Sequence, residues 1–114
     1  GENELTGTIP TEIGLLERCT LLNLRDNELT GTIPSEMGNM KGLEWLGLLD
    51  NQLNGTVPME LGNLTQYGNV RSAYFRGNNI TGSLDFLCEG AYNWTELEAD
   101  CVDEVECRCC TACV

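Results

Sequence analysis

The cysteines are the residues of this chain whose type and spacing point most directly to chemistry. Six of the seven crowd into the last part of the sequence, as Cys88, Cys101, Cys107, Cys109, Cys110 and Cys113. Crowding of this kind in a short chain is typical of an oxidising compartment, where thiols pair. We predict three disulfides among these six, with the pairing left open. Thiolates in C-x-C-C-x-x-C are also compatible with zinc, and counting free thiols in denatured, unreduced protein separates the two interpretations.

The remaining composition offers little for catalysis or for nucleic acid. The chain has 18 Asp and Glu against six Lys and Arg, no His, and a net charge of −12. An acidic chain repels nucleic acid, whose binding depends on Lys and Arg at the phosphates. Glu96 and Glu98 lie in an acidic run with no apolar pocket that would tune either carboxyl for acid–base work. We therefore expect no enzyme activity, no cofactor and no metal, and no apolar run is long enough to predict a membrane segment.

Four Asn-x-Ser/Thr triplets are candidate glycan acceptors on surface turns. They begin at Asn54, Asn63, Asn79 and Asn93. Such triplets are glycosylated only in proteins that pass through a secretory pathway. Together with the predicted disulfides, they favour an extracellular or cell-surface protein.

An internal repeat supplies the elements that must position these residues. Residues 3–14 read NELTGTIPTEIG, residues 27–38 read NELTGTIPSEMG, and further copies begin at Asn51 (NQLNGTVPMELG) and Asn78 (NNITGSL). Between them runs the frame L-x-x-L-x-L-x-x-N, which is filled by Cys19, Leu22, Leu24, Asn27; Leu43, Leu46, Leu48, Asn51; Val70, Ala73, Phe75, Asn78; and, more weakly, Trp94, Leu97, Ala99. Extra residues around Gln66 to Asn69 lengthen the third copy. Repetition at this period indicates a stack of similar coils.

Each copy predicts one coil with a short strand and a tight corner. The alternation in x-L-x-L-x predicts a strand of about five residues with its apolar side chains inward. We expect the following Asn to satisfy buried backbone groups, and the Gly of T-G to adopt positive φ. The Pro that comes next stops further strand pairing and starts a short helical turn. Stacked coils then bury the Leu and Ile that a single coil leaves in water.

The two motifs together, N-x-L-T-G-x-I-P-x-x-[IML]-G followed by L-x-x-L-x-L-x-x-N, resemble the plant-specific subclass of the leucine-rich-repeat family. The resemblance implies an α/β fold: a right-handed solenoid with a short-stranded parallel sheet on its concave face and no catalytic activity. It assigns residues 1–87 to about 3.5 coils truncated at the amino end, and residues 88–114 to the last strand and a disulfide-rich cap. The ending, ADC followed by ECRCCTAC, is similar to the tails of diatom-type leucine-rich-repeat proteins.

In that family, the outward side chains of the sheet bind protein or peptide partners. Here the predicted binding residues are Leu21, Asn23, Arg25, Trp45, Leu49, Ser72, Tyr74 and Arg76, followed on the last strand by Glu96, Glu98 and Asp100. Trp, Tyr and Arg are the residue types enriched in binding hot spots. A structural alternative is that Trp45 packs on Leu21 or Tyr74 and that Arg76 pairs with Asp100. Glycan is a second kind of ligand that such a surface could hold.

A regular column of hydroxyl side chains marks the T-G-x corner. It contains Thr8, Thr32, Thr56 and Ser83, beside Thr6, Thr30, Asn54 and Thr81. Several ice-binding proteins carry a Thr array on a flat solenoid face. A structural or ice-interacting surface protein is therefore the alternative function, although β propensity alone also favours Thr at such a corner.

Cys19 occupies an apolar position of the repeat frame, far from the other cysteines. Stacking puts it about three strand spacings, roughly 14 Å, from Cys101. A disulfide needs Cα atoms closer than about 7 Å. We therefore predict that Cys19 is a free thiol, packed as a small hydrophobic side chain, and that the other six seal the end of the core.

Overall fold

The computed structural model describes residues 4–102 and 104–114 as a stack of coils. Asn3, the first letter of the first repeat, lies outside the described residues. The strands follow one another along the chain as β1 (Thr6–Thr8), β2 (Leu21–Asn23), β3 (Glu28–Gly31), β4 (Trp45–Gly47), β5 (Gln52–Thr56), β6 (Ser72–Tyr74), β7 (Asn79–Ser83), β8 (Glu96–Ala99), β9 (Val105–Glu106) and β10 (Ala112–Cys113). The strands of the leucine frame have three or four residues, slightly fewer than the sequence predicts.

Short helical turns connect the strands. They are the 3-10 turns Thr11–Leu15, Ser35–Asn39, Met59–Gly62 and Asp85–Ala91 and the α-helical turn Asn63–Gln66. Pro10, Pro34 and Pro58 directly precede the first three, as predicted. The α-helical turn ends at Gln66 and so contains the start of the lengthened stretch of the third copy. Across the described residues, every helix is far too short to cross a bilayer.

The strands form two parallel sheets, where the sequence predicts one. The variable sheet has the order β10-β8-β6-β4-β2 and is the predicted sheet of the leucine frame. The threonine sheet has the order β1-β3-β5-β7-β9 and is built from the T-G-x corners. Each corner carries the same glycine turn at the same place, with φ between 75° and 90° at Gly7, Gly31, Gly55 and Gly82. Neighbouring corners therefore run parallel and pair, and the proline ends the strand only afterwards.

The core consists of matching inward positions of successive coils. Leu22 pairs in register with Leu46, Leu46 with Ala73, and Ala73 with Leu97. Leu46, Ala73 and Leu97 are 2% exposed or less. Leu22 is only half-buried, and its strand β2 lies at the edge of the variable sheet, with β4 on one side alone among the described residues. The predicted stacking of these positions is confirmed.

A change in side-chain size is compensated in the third coil. Ala73 stands where Leu22 and Leu46 stand, and the larger Phe75 stands where the other coils have Leu24 and Leu48. The remaining void is about 10 Å³. A water molecule needs at least that much space and polar partners as well, so the apolar core stays dry and closely packed.

An asparagine ladder joins the coils on the inside of the turns. The side-chain Oδ1 atoms of Asn27, Asn51 and Asn78 accept hydrogen bonds from the backbone N–H groups of Leu5, Leu29 and Leu53 at 3.0–3.1 Å. The amide nitrogen of Asn51 donates to the carbonyls of Leu24 at 2.8 Å and Leu48 at 3.2 Å. Each Asn thus satisfies both kinds of backbone group, as predicted.

The cap extends both sheets by one more strand each. β9 pairs with β7, and β10 pairs with β8. Three disulfides hold it, Cys88–Cys109, Cys101–Cys113 and Cys107–Cys110, and Cys19 is a free thiol. The structure pairs the six cysteines of the predicted set and leaves Cys19 out of any disulfide.

Candidate binding surface

The variable sheet brings the predicted binding residues together in rows across its strands. The first row runs through Leu21, Trp45, Ser72 and Glu96, and the second through Asn23, Gly47, Tyr74 and Glu98. A third row follows the strands directly and contains Arg25, Leu49, Arg76 and Asp100. Adjacent strands lie about 4.8 Å apart, so side chains of one row are within reach of each other.

Two aromatic rings form the centre of this surface. The ring centroids of Trp45 and Tyr74 lie 5.1 Å apart with an angle of 43° between the planes. The indole of Trp45 also covers Gly47, where any Cβ atom would overlap it. The structural alternative for Trp45 is thus realised in the pairing with Tyr74. Both rings remain half-buried, so each still presents part of its area to solvent.

The Tyr74 hydroxyl links the aromatic centre to the acidic strand β8. It donates a hydrogen bond to Oε1 of Glu96 at 2.8 Å. Partial burial raises the pKa of Tyr74, and the hydrogen bond to Glu96 and the negative charge of that carboxylate raise it further. The phenol therefore stays neutral to higher pH than usual and acts as a hydrogen-bond donor.

Arg76 pairs with a different acid from the one that the structural alternative names. Its Nε atom donates to Oε1 of Glu98 at 3.0 Å. Asp100 instead accepts hydrogen bonds from the backbone N–H groups of Gly77, at 3.0 and 3.2 Å, and Asn78, at 3.4 Å. The repeat frame has Val102 where the earlier coils have Asn, so no amide side chain stands at that position of the last frame.

Two predicted binding residues are not accessible, and the expectation that they face solvent is wrong. Leu49 and Ser72 are each 7% exposed. Ser72 lies between the longer side chains of Trp45 and Glu96 on the adjacent strands, which cover it. Leu49 occupies the same row position as Arg25 and Arg76 of the neighbouring coils. Ser72, a short side chain on a middle strand, thus lies between longer neighbours, a relation that a single repeat does not reveal.

The threonine sheet carries a second, more regular surface. A Cβ atom at Gly31 would lie 3.0 Å from Cγ2 of Thr8, and the same contact recurs at 3.1 Å between Gly55 and Thr32. Gly82 and Thr56 repeat it at 2.9 Å. Each threonine methyl therefore rests on the glycine of the next coil. The glycines serve this packing as well as the positive φ, and a shallow groove of about 840 Å³ runs along the column.

The candidate glycan acceptors and the clustered cysteines lie away from the variable sheet's centre. Asn54, Asn63, Asn79 and Asn93 are all exposed. The Sγ atoms of Cys88, Cys107 and Cys109 lie within 4.8 Å of one another, and all three belong to disulfides. A thiolate site for zinc there would first require two reduced disulfides, so the thiol count remains the test between the two interpretations.

Comparisons with known proteins agree with the architecture. Residues 18–40 match the family model Leucine Rich Repeat. No sequence among curated proteins matches the chain significantly. The ectodomain of the Arabidopsis thaliana receptor kinase SOBIR1 is similar in structure, with a TM-score of 0.75 and 29% identity over 86% of this chain and 52% of that one.

Two further solved structures are similar to a comparable degree. One is the Arabidopsis receptor kinase HAESA in complex with the peptide hormone IDA and the co-receptor SERK1, with a TM-score of 0.74 and 27% identity over 93% of this chain and 17% of that one. The other is a plant ice-binding protein, with a TM-score of 0.74 and 27% identity over 83% of this chain and 29% of that one. The protein thus has a leucine-rich-repeat solenoid fold and spans about half or less of the length of these proteins.

Sequence reasoning missed three features of the site. It did not predict that the T-G-x corners pair as a sheet, that Trp45 lies over Gly47, or that Tyr74 bonds to Glu96. The first had a visible signal, because at least one Thr stands next to the glycine in every copy and Thr has high β propensity. The bond of Tyr74 to Glu96 depends on the offset between adjacent coils, and the contact of Trp45 with Gly47 depends on the side-chain rotamer of Trp45; the repeat period specifies neither.

Proposed function

We propose that this protein is an extracellular recognition module that binds a protein or peptide through the variable sheet. The observation that carries the proposal is the contrast between scaffold and surface. Inward positions repeat from coil to coil, whereas the outward positions hold Trp45, Tyr74, Arg76 and Glu96, which the solenoid does not need. HAESA, a structure of the same fold, was solved with a peptide hormone, which supports a peptide as ligand.

The experiment selects peptides from a displayed random library against the purified protein and then compares variants. Trp45→Ala and Tyr74→Ala should each weaken binding of the selected peptides by about 30-fold, the effect of a hot spot worth about 2 kcal/mol. Their thermal unfolding should change little, because both rings are half-exposed.

A matched control lies on the opposite sheet. Thr32→Ala removes an exposed side chain of the threonine sheet and should leave peptide binding unchanged. If the two aromatic variants bind as tightly as the wild type, or if Thr32→Ala weakens binding equally, the ligand does not sit on the variable sheet and the proposal fails.

The chain's extracellular setting and glycosylation form part of the same proposal, and so does the absence of enzyme activity. The exposed triplets at Asn54, Asn63, Asn79 and Asn93 and the three disulfides support secretion. Expression through a eukaryotic secretory pathway should yield protein that loses mass on treatment with an N-glycosidase. Membership of the plant-specific subclass rests on the L-T-G-x-I-P motif, and the diatom-type cap rests on the cysteine spacing.

A second candidate function belongs to the threonine sheet. Its exposed threonines rest on glycines in an unbroken column, and a similar solved structure is a plant ice-binding protein. Flat arrays of this kind suit a repetitive ligand such as ice or a cell-wall glycan. Thermal hysteresis of the purified protein tests the ice-binding hypothesis. Thr32→Tyr is the disrupting variant, and Trp45→Ala is the control. If Thr32→Tyr leaves the hysteresis unchanged, the threonine sheet is not the ice-binding surface.

A further inference from the structure

The outward charges of the variable sheet change from its first coils to its last. β8 and the residue after it present three acids in the outward rows, Glu96, Glu98 and Asp100. The same rows hold no acid in the three preceding coils, where they contain Arg25 and Arg76. An extended ligand that lies across the strands therefore meets an apolar centre at Trp45 and an acidic end.

Two of these three carboxylates are held by neutral donors. Glu96 accepts from the Tyr74 hydroxyl, and Asp100 accepts from two backbone N–H groups. In the part of the chain that the structure describes, neither carboxylate belongs to an ion pair, whereas Glu98 is paired with Arg76. Hydrogen bonds from neutral groups orient a carboxylate without cancelling its charge. Among the described residues, neither acid is therefore already paired with a basic side chain.

A small crevice beside Asp100 can hold the cationic end of a side chain. It has a volume of about 170 Å³ and is lined by Asn78, Asp100, Glu104 and Val114. The exposed side chain of Val114 offers an apolar wall for the methylene stem of Lys or Arg. The lining acids Asp100 and Glu104 can pair with the charged head of that side chain.

We propose that the peptide or protein bound by the variable sheet carries a Lys or Arg side chain that enters this crevice, next to an apolar side chain on the Trp45–Tyr74 pair. The inference rests on the proposed function. Tyr74 pairs with Glu98 on the neighbouring strand, and Asp100 lies two residues beyond Glu98. The Cα atoms of Tyr74 and Asp100 are therefore about 8 Å apart. The basic residue of an extended ligand therefore stands two or three positions from the apolar one.

The test uses the displayed peptide library and the full chain. Peptides selected by the wild type should be enriched in Lys or Arg at that spacing from an apolar residue. Asp100→Asn with Glu104→Gln should weaken their binding at least tenfold and flatten its salt dependence, because the charge attraction is lost. Glu36→Gln with Glu60→Gln changes the net charge equally at exposed sites away from the sheet and should leave binding unchanged.

The outcomes separate this inference from the proposed function. Trp45-dependent peptides without a Lys or Arg preference, or equal loss in the two double variants, overturn the cation crevice and leave the recognition surface standing. Failure to select any Trp45-dependent peptide overturns both. Glu104→Gln alone provides a second variant if Asp100→Asn disturbs the fold, because Glu104 is exposed; it should still weaken binding, and an unchanged affinity contradicts the inference.

Discussion

The repeat coils and the cap continue the same two sheets but are held together differently. In the coils, Asn27, Asn51 and Asn78 bond to backbone groups of neighbouring turns, and leucines stack in register. In the cap, β9 and β10 have two residues each, and three disulfides join the segment. A coil that repeats its neighbour obtains its contacts from that neighbour. The last coil that the structure describes has a described neighbour on one side only, and there covalent links add to the few strand contacts.

The largest expected effect comes from opening the stacked core of the coils. Leu46→Ala removes a side chain that is 1% exposed and lies between Leu22 and Ala73. We expect a loss of about 2–5 kcal/mol in the free energy of unfolding, measured by chemical denaturation. Leu15→Ala is the control, because Leu15 is 78% exposed and its loss should cost less than about 0.5 kcal/mol. Equal costs for the two variants would contradict a core that runs through Leu46.

Removing the longest disulfide loop should weaken the cap almost as much. Cys88→Ser with Cys109→Ser opens a loop with a sequence separation of 21, for which chain entropy predicts a loss of about 3 kcal/mol. Cys107→Ser with Cys110→Ser opens a loop with a separation of only 3 and should cost about half as much. Cys19→Ser serves as the control, since this cysteine is free. Denaturation with and without reductant measures each variant, and a reversed order of the two disulfides would contradict the cap's predicted energetics.

Breaking the asparagine ladder should have a smaller effect that is local to the coils. Asn51→Ala leaves the N–H of Leu29 without its side-chain partner, whereas the carbonyl of Leu24 still accepts from Asn27 at 2.9 Å. We expect a loss of about 1–3 kcal/mol. Hydrogen exchange should show faster exchange of the Leu29 amide, whereas Asn63→Ala at an exposed site should change neither quantity. If the asparagine ladder does not stabilise the protein, the Leu29 amide will exchange as slowly in Asn51→Ala as in the wild type.

The smallest effect concerns the pH dependence of the cap. The pKa of Glu106 is raised, mainly by its hydrogen bond with Asp85, while the backbone N–H of Arg108 lowers the pKa of Asp85. A raised pKa means that Glu106 contributes stability below its ordinary value of 4.5 and loses that contribution as pH rises through the folded pKa. Asp85 acts oppositely, stabilising above 3.8 and losing this as pH falls.

Substituting each carboxyl should therefore shift the melting temperature in opposite directions with pH. Glu106→Gln should melt at or slightly above the wild-type temperature at pH 7 and lose that advantage in acid. Asp85→Asn should melt below the wild type at pH 7 and approach it in acid. Thermal scans across this range check both, and parallel shifts of the two variants would contradict the opposite pKa changes.

The repeat motif predicted most of the buried scaffold residues but only part of the exposed binding surface. The buried leucines, the asparagines and the positive-φ glycines follow from their positions in the frame, because each needs only its own coil and an identical neighbour. Leu49 and Ser72 show the limit of this reasoning. Alternation predicts the side of the strand for Ser72 but says nothing about the longer side chains of Trp45 and Glu96 on the adjacent strands, and Leu49 lies beyond the end of β4.

The amino-acid sequence by itself determined that this chain stacks coils, buries one side of each strand, and pairs six cysteines at one end, since these follow from the local period and residue type. Tertiary structure alone decided that the T-G-x corners form a second sheet, that Trp45 lies on Tyr74 and Gly47, and which cysteines pair. Apart from Trp45 on Gly47, those contacts join residues 20 to 30 positions apart or in a segment without repeats. Their geometry depends on how one coil is offset against the next, a quantity that the packing of the whole stack sets.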